Sequence, residues 1–468
     1  SMKKRVLFQI ILFILIFSCN NVKDEKQVPF EKLSKDVTGI NFSNIITPDI
    51  ETSENLFDYD YFYNGSGVGI ADINNDGLKD VLFTANQQMN RLFLNKGNLT
   101  FEDITELSNI NTKNKKWSSG VTFADVNNDG WLDIYISQGG PYNSKSRKNL
   151  LLINNRDLTF IEKAEEYGLD DNGISTQSAF FDFDKDGDLD CVVMNENEFY
   201  GYDPMSFFKK YENKSVLMEN SSHMYEQKDG KFINITEKAG LLSPTFGLGL
   251  CISDINNDNW PDIYIANDYY LKDAMYINNK NGTFSNNIKE ATKQISFYGM
   301  GVDIEDINHD NLSDILVLDM ASSDHVRSKT LMASMDTENF DLITNKLDQH
   351  YQYMFNSLQL NIGNNKYHNI AHQLNIAKTD WSWAGLIFDF DHDGNEDIFV
   401  TNGYRKYALD NDSRIRIDKT KKDYNNKVPI EIKKKLYNEL PSEKLSNIMY
   451  KNEGNLNFKE IGNDSNLL

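Results

Sequence analysis

One nine-residue arrangement of oxygen-bearing side chains recurs six times in this chain, and its clearest copy is Asp125-Val-Asn-Asn-Asp-Gly-Trp-Leu-Asp133. Asp125, Asn127, Asp129 and Asp133 occupy the first, third, fifth and ninth positions, and Trp131 at the seventh can offer its backbone carbonyl. Gly130 supplies the backbone conformation that a β-carbon resists. A loop wound in this way presents an irregular, all-oxygen shell. Such a shell suits Ca2+, whereas zinc would call for His or Cys.

The other copies follow the same spacing. The first holds Asp72, Asn74, Asp76, Leu78 and Asp80, and the third holds Asp182, Asp184, Asp186, Asp188 and Asp190. The fourth holds Asp254, Asn256, Asp258, Trp260 and Asp262, and the fifth holds Asp306, Asn308, Asp310, Leu312 and Asp314. The sixth holds Asp389, Asp391, Asp393, Asn395 and Asp397. Asn259 and Asn311 replace glycine at the sixth position, and Asn is the next-best residue for a left-handed backbone. Up to six Ca2+ are expected. An EF-hand is excluded, because its twelfth position needs a bidentate Glu. Here that position holds Phe83, Ile136, Val193, Ile265, Val317 and Val400. The residues after each loop, such as Asp133-Ile-Tyr-Ile-Ser137, read as strand, so each loop is the tip of a β-hairpin.

These loops must be held by a repeating scaffold. In the first unit, Gly65–Asp72 reads as a short first strand rich in small residues, followed by the loop and the strand Val81–Thr84. Arg91–Asn95 and Thr100–Thr105 supply the third and fourth strands. Third-to-fourth hairpins recur at Leu150–Phe160, Met224–Phe232, Met275–Phe284, Leu358–Tyr367 and Ile448–Phe458. The expected fold is all-β: a β-propeller of four-stranded antiparallel blades, six with metal loops, in a seven-bladed ring with long loop insertions. Five positions before each first Asp stand Gly67, Gly120, Gln177, Gly249, Gly301 and Ala384, small enough for strands that converge on an axis, Gln177 excepted. The extra length falls between second and third strands, at 195–222, 319–356 and 403–447, on the face opposite the metal loops. Pro29–Leu33 with Gly39-Ile40 reads as an orphan fourth strand, which implies a last blade left incomplete by truncation of a longer chain.

The chain is 468 residues long with a formal net charge of −22, which argues against a nucleic-acid partner. The loop positions account for 20 of the carboxylates, so folding is expected to be coupled to metal. Lys3-Lys-Arg5, the apolar run Val6–Phe17 and Ser18-Cys19 resemble a bacterial lipoprotein signal. That likeness implies a 1–19 signal peptide, lipidation of Cys19 and a 20–27 tether. Residues 28–468 then form the propeller, lipid-anchored at the outer membrane or cell surface. Cys191 and Cys251 read as free thiols.

Gly120–Phe160 and Trp381–Tyr404 resemble the FG-GAP/VCBS repeat proteins. The second stretch is similar to the cartilage-acidic-protein-like (ASPIC/UnbV-associated) branch, and Asp319–Lys329 is similar to segments of its large Bacteroidetes members. The resemblance implies a calcium-binding propeller related to integrin α heads.

Beyond the loops the sequence offers little chemistry. Tyr61, Phe62, Tyr63, Tyr269, Tyr270, Trp381 and Trp383 could stack on sugars but read first as packing. Arg405-Lys406, Lys419–Lys422 and Lys433–Lys435 read as a solvated helix face. His368 and His372 fall on an outer strand and turn, a poor place for zinc. No sialidase box, phosphate loop or nucleophile elbow is present. The expected function is a non-catalytic, surface-exposed module binding a protein or polysaccharide, with membrane contact only through the N-terminal lipid. The alternative is a polysaccharide lyase or glycosidase on a calcium-stabilised propeller.

Overall fold

The structure is a computed structural model that describes residues 30–111, 117–330, 337–407 and 410–462. The signal peptide, Cys19 and the tether lie outside the described residues.

The β-branched and aromatic runs after each loop form the second strands expected of them. In the first blade the strands are Val68–Ala71, Asp80–Phe83, Arg91–Asn95 and Phe101–Asp103, paired in that order and antiparallel throughout. Five four-stranded sheets of this order lie among the described residues. The sixth sheet adds Met320–Ala321 to the edge of Asp380–Phe388. Second strands such as Asp133–Gln138 and Asp262–Asn267 are buried along their whole length, because a neighbouring blade covers each face. Fourth strands such as Phe160–Glu162 and Phe284–Asn286 bury their first residue and expose the next two.

First strands of consecutive blades pack side by side, from Val68–Ala71 round to Asp380–Phe388. Their backbones approach so closely that the small residues are required. A β-carbon on Gly67 would lie 2.7 Å from the Ser119 carbonyl, and one on Gly249 would lie 2.6 Å from that of Met300. Gln177, the exception, extends over Gly120. Hydrogen bonds stitch the same seam: Ser119 Oγ donates to the Ser175 carbonyl at 2.9 Å, and Thr176 Oγ1 to that of Gly247 at 3.0 Å.

The N-terminal segment corrects one expectation. Residues 30–34 form no strand, since no third strand lies alongside to share a ladder; a single helical turn, Lys35–Thr38, follows. The segment nevertheless makes contacts that outer strands and the turns after them make elsewhere. Phe30 meets Phe390 at 5.8 Å between ring centroids, as Phe284 meets Phe183 at 5.8 Å elsewhere. Gly39 abuts the Phe101 carbonyl as Gly168 abuts that of Phe232 and Gly240 that of Phe284.

The long second-to-third connections carry helices. Pro204–Lys210 and Lys214–Glu219 lie in the third blade, and Asn411–Asp423 and Ile430–Asn438 in the sixth. Antiparallel strands place these connections at the opposite end of each blade from the metal loops, as the unit lengths imply. Residues 44–64, which precede the first repeat, cross that same end. Their aromatic side chains pack with those of several blades, among them Trp117, Phe246, Phe297, Trp381 and Tyr404.

Candidate metal loops and the opposite face

The nine-residue loops are bent by their own side chains, in nearly one pattern six times over. In the second loop, the first-position Asp125 accepts from the backbone N–H of Asp129 at 2.9 Å and of Gly130 at 2.7 Å. Asp129 accepts in turn from Trp131 N–H at 3.0 Å. Two residues per loop take left-handed conformations. The sixth position does so at Gly130 (φ 85°), and also at Asn259 (66°) and Asn311 (64°), which stand in for glycine as expected. The fourth position does so as well, including His309 (61°) and His392 (60°).

The ninth-position carboxylate anchors loop to blade. Asp133 accepts from Val126 N–H at 3.2 Å and from Asn154 N–H on the third strand at 2.8 Å. Asp80, Asp190, Asp262, Asp314 and Asp397 repeat both contacts. Burial, reinforced by the neighbouring loop carboxylates, pushes Asp133 and Asp397 up to about 6, and Asp190, Asp262 and Asp314 to about 7. Like charges held together and partly desolvated resist ionisation, and a divalent cation would reverse that.

The residues fit such an ion. Oxygens of Asp182, Asp184 and Asp190 lie within 4.8 Å of one another, as do those of Asp389, Asp391 and Asp397. In the third loop Asp184 Oδ1 and Asp188 Oδ1 are buried without a hydrogen-bond partner. Buried oxygens of that kind are costly unless something coordinates them. Three loops also have a basic neighbour that sequence reasoning missed. Arg156 reaches Asp129 at 3.0 Å, Lys280 reaches Asp258 at 3.1 Å, and Lys451 reaches Asp393 at 3.1 Å as well as Asp391. All three stand beside the third-strand Asn of the same blade.

The opposite end is sealed by the 44–64 crossover. Tyr61, Phe62, Tyr270 and Trp381 are buried, and Tyr63, Tyr269 and Trp383 half-buried, so the aromatic set is packing core, not an open stacking platform. Beneath it three carboxylates meet. Tyr59 donates to Glu196 at 3.0 Å, Tyr61 to Asp268 at 2.9 Å, and Tyr269 to Asp60. Burial, with the mutual repulsion of these acids, raises Glu196 to about 8 and Asp268 to about 7. Glu196 and Asp268 are each only 4% exposed, closed to a sugar ring. The basic insertion has an internal role. Lys433 pairs with Asp58 at 2.6 Å and Lys434 with Glu51 at 2.8 Å, so the helix Ile430–Asn438 clamps the crossover.

Other sequence candidates find structural places. Cys191 is buried and Cys251 half-buried, both as free thiols. His372 packs on Phe355, and His368 sits on a third-to-fourth hairpin. No helix among the described residues is long and apolar enough to cross a membrane.

Comparison with known proteins agrees with the loops. The model of the FG-GAP-like repeat matches residues 72–136 and 254–317, which contain the first two loops and the fourth and fifth. Mouse integrin alpha-8 is 33% identical over 106 residues, covering 20% of this chain and 10% of the integrin. Cartilage acidic protein 1 of Xenopus tropicalis is 30% identical over 134 residues, covering 29% of this chain and 20% of that protein. The chain thus spans a fifth or less of each relative's length. A solved Agrocybe aegerita lectin that recognises non-reducing terminal N-acetylglucosamine aligns with a TM-score of 0.42 at 15% identity, covering 85% of this chain and 80% of the lectin. The chain is an all-β protein that carries FG-GAP-like repeats of the kind its metal-loop spacing announces.

Proposed function

We propose that the chain is a calcium-stapled, extracytoplasmic binding module that engages a protein or polysaccharide partner without catalysing a reaction. One observation carries this reading: the two ends of the blades are specialised differently. At one end, six short loops hold converging oxygens. At the other, long connections bearing helices surround a sealed aromatic plug. Exposed connections on a rigid scaffold are where recognition usually resides. The integrin match supports a ligand-binding role at the cell surface. The Ca2+ would be held by the first, third, fifth and ninth side chains of each loop together with the seventh carbonyl. Neutralising the crowded carboxylates is the stabilisation it would supply. Anchoring through a lipidated Cys19 belongs to the same proposal.

The test has two parts. Bound metal is counted by elemental analysis, and melting is followed with and without Ca2+; several equivalents per chain and a marked rise in melting temperature are expected. Retention is then measured on immobilised polysaccharides and candidate surface proteins, in Ca2+, for the native chain and a Lys419→Glu/Lys422→Glu variant on the exposed insertion helix. Retention of the native chain by no polymer or protein refutes the binding role, and absence of metal refutes the staple.

A further inference from the structure

Where Met320–Ala321 pairs with Asp380-Trp381 at the edge of the sixth sheet, a cavity of about 150 Å3 is lined by Arg327, Lys329, Lys378, Asp380, Trp381 and Met354, among others. Three basic side chains face one carboxylate there, in a chain whose formal charge is −22. Arg327 is already committed. Its guanidinium grips Asp380 (Nε–Oδ2 2.9 Å, Nη2–Oδ1 2.7 Å), pairs with Glu443 and lies 3.3 Å from the Tyr407 hydroxyl. Arg327, Asp380 and Glu443 together leave one negative charge, which two further lysines outweigh. Lys329 and Lys378, both exposed, have no acidic partner among the described residues. The site is therefore electropositive in use, not only in composition.

A second, independent feature marks the same wall. Trp381 is 3% exposed, and its indole N–H has no acceptor among the described residues. Its neighbour Trp383 donates its own N–H to the Gly403 carbonyl at 2.5 Å. A buried donor left unpaired is costly, and native structures rarely keep one without a reason. One wall is apolar, with Met320 and Ala321 buried and Met354 half-buried, and Ser322 and Ser328 complete the lining.

Two unpaired ammonium groups, a buried indole N–H and an apolar wall together fit an anionic group mounted on a ring. We propose that this pocket binds the carboxylate or sulfate of an acidic saccharide, the oxyanion between Lys329, Lys378 and the Trp381 N–H and the ring's C–H face against Met354. An aspartyl side chain offers the same charge but no ring to cover the apolar wall, which favours the saccharide. This assignment rests on the binding reading above and narrows its partner.

The experiment is calorimetric titration of the full chain, in Ca2+ and at fixed ionic strength, with galacturonate, galactose 6-sulfate, galactose and N-acetylaspartate amide. Galacturonate or the sulfated sugar should bind, with galactose and the aspartate derivative at least tenfold weaker. Lys329→Glu and Lys378→Glu, each at an exposed position, should each weaken the acidic sugar roughly tenfold, by exchanging an attraction for a repulsion. Trp381→Phe should weaken it as well, with an unchanged circular dichroism spectrum as the control for folding. Equal binding of galactose overturns the anion assignment, equal binding of the aspartate derivative overturns the saccharide, and indifference to both lysine reversals overturns the pocket. If a panel polymer retains the chain irrespective of these reversals, the pocket fails and the broader binding role survives. Retention by nothing at all ends that role.

Discussion

Glu196→Gln isolates the cost of burying a carboxylate beneath the crossover. The substitution preserves volume and leaves an oxygen to accept from Tyr59, whose hydroxyl lies 3.0 Å away. It removes only the capacity to ionise. In the folded chain burial lifts the Glu196 carboxyl from 4.5 to about 8; the Tyr59 hydrogen bond is the chief opposing effect, and the Asp268 charge, the Arg147 charge (opposing) and the Asp60 charge follow in that order. A folded-state value above the unfolded one means the folded state holds the proton longer. The stability this group confers is therefore complete below pH 4.5 and is lost as pH rises to about 8. At about 1.4 kcal/mol per pH unit, that interval corresponds to an upper bound of about 5 kcal/mol. The loss should show first as opening of the crossover. Hydrogen exchange over residues 55–64, read as the ratio of variant to native at each pH in saturating Ca2+, cancels the titration of the metal loops. At pH 5 the ratio should be near one. At pH 8 the variant should exchange more slowly, by tenfold or more. Equal ratios at both values would refute the view that Glu196 is a desolvated acid held under a lid.

Three further outcomes are expected. Asp129→Ala should remove one equivalent of bound Ca2+ in elemental analysis while the other loops keep theirs, because each loop carries its own candidate ligands; loss of all metal would contradict this. Gly120→Ala puts a β-carbon 2.5 Å from the Thr176 carbonyl and should cost about 1–3 kcal/mol, whereas Gly77→Ala, in open space at φ 87°, should cost about 1 kcal/mol. Chemical denaturation of the two variants side by side checks the ranking. Asp171→Asn should cost about 3 kcal/mol, because Asp171 accepts from the buried His223 at 2.5 Å and from Tyr225 at 2.7 Å. Burial alone would depress His223, but the Asp171 charge and hydrogen bond raise it to about 8. The histidine's contribution is thus full below pH 6.5 and lost as pH climbs through 8, and the variant's melting temperature should lack that decline.

The candidate metal loops were legible because everything that shapes them is local. Nine contiguous residues contain the Asp that turns the chain, the left-handed residues that let it turn and the oxygens that converge. The run of β-branched and aromatic residues after each loop then reads as the second strand of a hairpin, and the lengths between loops place the insertions at the far end. Even the demand for glycine before each first Asp could be read, since strands near an axis have no room. The fourth-position left-handed turn at His309 and His392 was missed because neither residue type announces it.

The other end of the molecule depended on tertiary structure. Residues 44–64 show no repeat and no periodicity, yet Tyr59, Tyr61 and Tyr63 find partners at Glu196, Asp268 and Tyr437, more than a hundred residues away. Lysines that read as a solvated face clamp this segment through Asp58 and Glu51. The cationic pocket likewise joins Lys329 to Lys378 across two blades. Sequence alone determined the repeating all-β unit and its candidate ligands for a cation, because backbone turns and strand periodicity are set by neighbours along the chain. Which acids are buried, which lysines stay unpaired and which aromatic residues face inward was decided only when the blades assembled, because desolvation and charge pairing depend on groups that the chain brings together from far apart.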